Sequence, residues 1–185
     1  MPRITPHEAG GGNVCALLDT LAYAEIGPDM LAASDDGYDV LVGSVPGDVD
    51  LFASYADHPL PDDSDAIEYS PGVWSTAAGR YQILNTFWPH YKRQLGLPDF
   101  SPESQDRYAI QQLREQGALT LIQDGYFKRA IAAASNIWAS LPGAGYGQPE
   151  HEHETLARVY VEAGGLLSGE DSDWFDRVVK VRRGQ

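Results

Sequence analysis

The sequence has little cysteine, few basic residues and no long apolar run. Its 185 residues include one cysteine, Cys15, which excludes an internal disulfide and a cysteine metal cluster. Lysine and arginine number 13 against 27 aspartates and glutamates, giving a formal net charge of −14. A net negative charge disfavours a nucleic-acid partner, and it makes the protein repel anionic surfaces at long range. No stretch reaches the ~18 consecutive apolar residues of a transmembrane helix, so no stable membrane insertion is expected.

The length and composition predict one globular domain with its own core. Residues 1–12 contain three consecutive glycines at their end and are expected to form a flexible arm. Residues 13–165 are expected to form the domain itself, and residues 166–185 a helical extension packed on it. The amino terminus lacks the apolar core of a Sec-type signal peptide, so export by that route is not expected.

Helical periodicity dominates the chain. Asn13 can cap a helix that runs to about residue 26, with an apolar stripe at positions 14, 17, 18, 21 and 22. The same reasoning predicts further helices over 76–84, from 86 onward, over 101–117, 126–138 and 153–164, and over an amphipathic segment at 173–183.

The segment from 27 to 72 has a different pattern, rich in glycine, proline and aspartate. "GYDVLVGS" (37–44) predicts a strand, and "LFASYADH" (51–58) predicts its partner. The stretch between residues 58 and 72 is typical of an exposed acidic loop. The predicted class is therefore α+β, mostly helical, with one small sheet.

Glu25, in "LAYAEIGP", lies four residues after Leu21 and seven after Leu18, so it shares the face of the apolar stripe. Burial and the partial negative charge at a helix carboxyl end both disfavour the carboxylate and should raise its pKa. A glutamic acid kept protonated in this way can act as a general acid. The alternative is that Glu25 lies at the edge of the stripe and its carboxylate reaches water.

Several further stretches resemble the lambda-type endolysin family of phages. "STAAGRYQIL", "YKRQLGLPDFSPESQD" and "SNIWASLPGAGYGQ" carry the resemblance, with "LAYAEIG", "GYDVLVG" and "YADHP" in the same order. The similarity as a whole covers about residues 17–165. The resemblance implies a lysozyme-like fold with its small antiparallel sheet beside the substrate cleft. It implies a lytic transglycosylase that cuts peptidoglycan between N-acetylmuramic acid and N-acetylglucosamine, leaves a 1,6-anhydro sugar and uses Glu25 as its catalytic group.

Two stretches are candidates for binding the glycan. Gln82 follows Tyr81 in "AGRYQ", and its amide can donate to and accept from an N-acetyl group or the catalytic carboxyl. The loop "SLPGAGYGQ" contains Gly145, Tyr146 and Gln148, and by resemblance it forms one lip of the cleft. Its glycines resemble those of a phosphate loop, but it follows a helix and has no lysine partner.

"YADHP" would form the opposing lip, where Asp57 and His58 contact glycan or, alternatively, only build a turn. "HEHE" places His151 and His153 two residues apart, on different faces of a helix, so no metal site is expected. No cofactor is expected either.

Three functional interpretations remain open. The first is an endolysin transglycosylase, a monomer that waits in the host cytoplasm and reaches the periplasm and cell wall when a holin opens the membrane. A virion-associated enzyme used during entry fits the same residues. The second is a hydrolase in which Asp39 assists Glu25, and the third is a glycan-binding virion module without turnover. The acidic residues of the loop before Trp74 and the extension over 166–185 depart from the family and leave the mode of wall attraction open.

Overall fold

Helices make up most of the secondary structure. The computed structural model describes residues 1–145, 147 and 150–183, with side chains as far as residue 179. Within this part of the chain the single sheet is an antiparallel pair of short strands, so the predicted α+β class is confirmed. The elements are α1 (Pro6–Ala9), α2 (Gly12–Ile26), α3 (Pro28–Ala32), β1 (Ile67–Ser70), β2 (Val73–Ser75), α4 (Trp88–Leu95), α5 (Pro102–Glu115), α6 (Ala118–Gln123), α7 (Phe127–Ala134), α8 (His153–Glu162) and α9 (Gly169–Arg183).

The chain divides into two compact units, one formed by residues 1–24 with 110–185 and the other by residues 25–109. The first unit is helical. Its core contains the apolar stripe of α2 and the rings of Phe127 and Tyr160, whose centroids lie 5.0 Å apart. Helix α9 is held to α7 because buried Asp171 accepts the backbone N–H of Lys128 at 3.1 Å and pairs with its ammonium at 3.2 Å.

The second unit contains the hairpin, several tight turns and an aromatic core. Trp88 and Phe100 pack edge to face at 4.8 Å between centroids, and His58 packs against the same Phe100 ring at 4.9 Å. Tyr38, Tyr81 and Ile83 are buried in the same unit. These contacts fix the segment from 76 to 85, where two of the predicted site residues, Tyr81 and Gln82, lie.

The positions of the strands differ from the prediction. Residues 37–44 and 51–58 form single bridges, between Val40 and Leu51 and between Leu41 and Ala78, rather than a sheet. The sheet begins within the segment that is expected to be an acidic loop and ends just beyond it, with Glu68 paired to Trp74. Tyr38 and Val40 of this segment are buried and Val42 is half-buried, and a buried turn selects apolar residues as a buried strand does.

The predicted helix over 76–84 is wrong. Ala78 and Ile83 instead form an antiparallel bridge that closes a tight turn. Gly79 has φ of +76° and Gln82 has φ of +49°, both in the left-handed region that interrupts a helix. "AAGR" has good helix formers, but the contacts of this turn override that local preference.

Residues 1–12 include a short helix, α1. Helix α1 has a capping box in which Thr5 and Glu8 satisfy each other's backbone N–H groups, and Ile4 and Ala9 are buried. Asn13 does not cap α2, which begins at Gly12. Its side chain donates to the carbonyl of Gln123 at 3.2 Å and accepts from the N–H of Leu166 at 2.9 Å. The predicted division into residues 1–12, 13–165 and 166–185 stays a prediction.

Candidate active site

Glu25 is the penultimate residue of α2, and the structure places it where the sequence predicts. Leu18 and Leu21, on the same face, are fully buried, whereas Glu25 is half-buried. Gly27, with φ of +81°, then turns the chain into α3, which begins at Pro28. The carboxyl group therefore lies at the negative end of the helix dipole, partly withdrawn from water.

His151 supports the end of α2 immediately before Glu25. Its Nε2 lies 3.2 Å from the carbonyl oxygen of Ala24, and its ring lies 5.6 Å from the ring of Tyr23. A carbonyl in the last turn of a helix has no partner within the helix, and this contact supplies one. His151 of the "HEHE" motif thus has a structural role at the end of α2.

Gln82 lies in the turn between Ala78 and Ile83 and is half-buried. Its side-chain amide donates to the carbonyl of Gly79 at 3.0 Å, and its backbone N–H donates to the same oxygen at 3.1 Å. A residue other than glycine in the left-handed region costs about 1–3 kcal/mol and is common at functional sites. This strained backbone is a structural reason to keep Gln82 as a candidate.

Tyr81 and His58 are less accessible than the sequence predicted. The Tyr81 hydroxyl donates to Asp106 at 2.6 Å, and only 2% of the residue is exposed. Burial, and then the charge of Asp106, raises the pKa of Tyr81 well above its usual value. The two ring nitrogens of His58 lie 3.1 Å and 2.9 Å from the carbonyl oxygens of Leu60 and Ile83. These contacts disfavour the direct glycan contacts predicted for both residues.

Asp57 remains on the surface but is already engaged by protein groups. It accepts from the indole N–H of Trp88 at 2.7 Å and from the ammonium of Lys92 at 2.8 Å. Burial acts to raise the pKa of Asp57, but the hydrogen bonds from Lys92, Trp88 and the His58 backbone outweigh it and lower that pKa. The structure thus gives Asp57 a role in holding the loop before α4, consistent with the alternative interpretation of "YADHP" as a turn.

The glycine-rich loop that begins at Ser140 is held by hydrogen bonds to a carboxylate. Glu150 accepts the backbone N–H groups of Gly143 and Gly145, each at 2.8 Å. These bonds, that of Gly145 first, lower the pKa of Glu150. The predicted contact residues Tyr146 and Gln148 lie outside the described residues.

Two buried polar residues near Gln82 were missed by the sequence analysis. Gln105 and Asp106, in the first half of α5, contact the turn that carries Gln82, and both are fully buried. The sequence does contain a signal for Gln105. It lies four and eight residues before the buried residues Ala109 and Leu113, so it shares their face of the helix. A polar residue within an apolar stripe was the pattern that singled out Glu25.

Comparison with known proteins agrees with this architecture. The model of a protein family described as Endolysin matches residues 15–167. The chain belongs to the endolysin family. It is 50% identical to the endolysin of Escherichia phage P2 over 167 residues, which cover 90% of this chain and 99% of that protein. It is 49% identical to the endolysin of Escherichia phage lambda over 154 residues, covering 82% and 91% of the two chains.

Solved structures agree with the family assignment. A structure of bacteriophage lambda lysozyme complexed with a chitohexasaccharide superposes with a TM-score of 0.76 at 45% identity, covering 91% of this chain and all of that one. A second structure of the lambda lysozyme gives 0.73 at 43% identity. This endolysin therefore has the lysozyme-like fold and is a lysozyme-like glycosidase that degrades the bacterial cell wall. Within the described residues, no helix is both long and apolar enough to cross a membrane.

Proposed function

We propose that this endolysin is a lytic transglycosylase that cleaves the β-1,4 bond between N-acetylmuramic acid and N-acetylglucosamine. The observation that carries the proposal is the position of Glu25, a half-buried carboxyl group at the carboxyl end of α2. A chitohexasaccharide, the ligand in the lambda lysozyme structure, is a β-1,4-linked aminosugar chain, and a glycan strand of peptidoglycan has the same type of linkage.

The mechanism needs one acid. Protonated Glu25 donates its proton to the glycosidic oxygen as the bond from that oxygen to C1 of muramic acid breaks. The C6 hydroxyl of the same sugar then attacks C1, and its proton returns to Glu25. No water is consumed, and the nucleophile is already held beside its target, which is an entropic advantage. The raised pKa of Glu25 expected from the sequence stays a prediction.

The hydrolytic alternative requires a second carboxylate, because a water must be activated or a covalent intermediate formed. Asp39 is the candidate for this second carboxylate. Its Oδ1 accepts the backbone N–H of Asp35 at 2.9 Å, which closes the turn between the two residues. That bond gives Asp39 a local structural role and favours the mechanism with one acid.

The deciding experiment is mass analysis of peptidoglycan digested with the purified protein. Anhydro-muropeptides, each one water lighter than the reducing form, are expected. Reducing ends would overturn the transglycosylase proposal in favour of hydrolysis, and the absence of released fragments would overturn enzymatic turnover.

A matched pair of variants tests the assignment of the acid. Glu25→Gln removes the transferable proton with little change in shape and should lower kcat at least about 10²–10⁴-fold while the melting temperature stays near that of the wild type. Asp39→Asn should retain most activity. Full activity in Glu25→Gln would refute the site, and loss of activity in Asp39→Asn with its fold intact would point to the two-carboxylate mechanism.

The biological setting is proposed on the same basis. The protein acts as a monomer on peptidoglycan glycan strands during host lysis, from the host cytoplasm to the periplasm, with a holin opening the way. A holin-deficient phage background provides the test: lysis should fail there although active enzyme accumulates. Lysis on time in that background would contradict the dependence on a holin.

A further inference from the structure

The turn that carries Gln82 has two residues in the left-handed backbone conformation. Ala78 and Ile83 exchange backbone hydrogen bonds of 3.0 Å and 2.8 Å, and between them Gly79 and Gln82 both have positive φ. Glycine adopts this conformation readily, but glutamine does not. The conformation of Gln82 therefore has to be imposed by contacts elsewhere.

Gln105 supplies the first of these contacts. Its Oε1 accepts the backbone N–H of Arg80 at 2.9 Å, while its Nε2 donates to the carbonyl oxygens of Tyr38 and Phe100 at 3.0 Å and 2.9 Å. The amide also fills the space beside Gly79, where an added Cβ would come 2.2 Å from Oε1. One buried side chain thus contacts both residues of the Gly79–Arg80 peptide.

Asp106 supplies the second. Its Oδ1 accepts the hydroxyl groups of Tyr81 at 2.6 Å and Tyr38 at 2.7 Å, and all three residues are buried. Hydrogen bonds to a charged acceptor are roughly twice as strong as neutral ones. Because Tyr81 directly precedes Gln82 in the chain, this pair of bonds sets the direction in which the chain enters Gln82.

We infer that Gln105 and Asp106 are positioning residues for the reaction, which hold the turn so that the Gln82 amide stays at a fixed place and angle. The inference rests on the proposed function, since it assumes that Gln82 contributes to turnover. The Gln82 side chain is itself seated on the turn through its bond to the Gly79 carbonyl. Displacing Gly79 therefore displaces the amide.

A graded series at Asp106 tests the inference with kcat and KM measured on solubilised peptidoglycan strands. Asp106→Ala should lower kcat per folded molecule about 10–100-fold, the effect of an approximately 1 Å misplacement, with KM changing less. Asp106→Asn, which retains an acceptor oxygen, should recover most of that loss. Ser104→Ala is the matched control, because Ser104 is a buried polar neighbour on the same helix that bonds to Asp99 and not to the turn.

A double-mutant cycle separates positioning from general stability. In a Gln82→Ala background, replacing Asp106 should change kcat less than about threefold, because there is no amide left to position. An undiminished loss in that background, or a wild-type kcat in folded Asp106→Ala, would overturn the inference. If Asp106→Ala does not fold, Tyr81→Phe, which removes one of the two hydroxyl groups that donate to Asp106, takes its place in the cycle under the same criteria.

Failure of the inference can be told from failure of the proposed function. If Glu25→Gln is inactive but Gln82→Ala has the kcat of the wild type, the proposed function stands and the positioning role falls. If Glu25→Gln is active, the catalytic assignment itself is refuted.

Discussion

At the scale of single residues, Gly79 has little room for a side chain. A Cβ there would come 2.2 Å from Oε1 of Gln105, and the φ of +76° is strained for any L side chain. Gly79→Ala should therefore lower the free energy of unfolding by about 1–3 kcal/mol from backbone strain, and by a further steric term. Thermal denaturation followed by circular dichroism measures the loss.

Gly72 provides the control for this prediction. It has nearly the same φ, +74°, but nothing lies within 4 Å of its Cβ position. Gly72→Ala has the strain without the clash, so the difference between the two variants isolates the contact with Gln105. Equal losses of stability would mean that Gln105 moves aside without cost, and would weaken the case for a rigid turn.

Single residues also show what the sequence could and could not reveal about the site. Glu25 was found because a carboxylate interrupts an apolar helical stripe, and such a stripe is visible in sequence alone. The burial of Tyr81 and His58 was not predictable in this way. Tyr81 contacts the side chain of Asp106 and His58 contacts the carbonyl group of Ile83, each 25 residues further along the chain, and these groups meet only after long-range folding.

At the scale of elements, the helices were easier to predict than the sheet. Pro102 and Gly117 bracket α5 as predicted, and α9 begins only four residues before the predicted position 173. Helix ends have local signals in capping residues, proline and glycine. A two-stranded hairpin has few residues. Its strands lie in an acidic stretch, where too few apolar residues are present to show the alternation of apolar and polar positions that predicts a strand.

The loop between Asp57 and Leu60 gives a prediction at the same scale. Burial lowers the pKa of His58, and the hydrogen bonds to Ile83 and Leu60 and the charge of Asp57 only partly offset this effect. The unfolded chain therefore takes up a proton at His58 more readily than the folded one. Stability contributed by neutral His58 is complete above the unfolded pKa of about 6.5 and is lost as the pH falls below it.

The variant His58→Gln tests this pH dependence of stability, because a glutamine side chain takes up no proton between pH 5 and 7.5. Urea denaturation at several pH values should show the wild type losing stability between about pH 7.5 and 5, with a slope of at most about 1.4 kcal/mol per pH unit from this proton. The slope should be smaller in His58→Gln. His90→Gln, at an exposed histidine of α4, should retain the slope of the wild type. If the slopes of all three proteins coincide, His58 is not the group responsible.

At the scale of the whole molecule, the charge of −14 governs how the enzyme approaches the cell wall. Peptidoglycan carries carboxylates on its peptide stems, so the long-range force between enzyme and wall is repulsive. Long-range repulsion slows association without changing the chemistry at the site. Activity on intact wall material should therefore rise as salt increases from about 0.01 M to 0.15 M, because the Debye length falls from about 30 Å to about 8 Å.

The clearing rate of a wall suspension at several salt concentrations measures this effect, and binding of a neutral chito-oligosaccharide provides the control. Binding of the neutral ligand should stay constant while the clearing rate rises.

A variant that neutralises Asp65 and Glu68 together, as Asp65→Asn and Glu68→Gln, removes two of the charges around the hairpin. A smaller salt effect in that variant would locate the repulsion at the hairpin, and an unchanged one would assign it to the net charge. A clearing rate that falls with salt would show that local basic groups attract the wall strongly enough to outweigh the net charge.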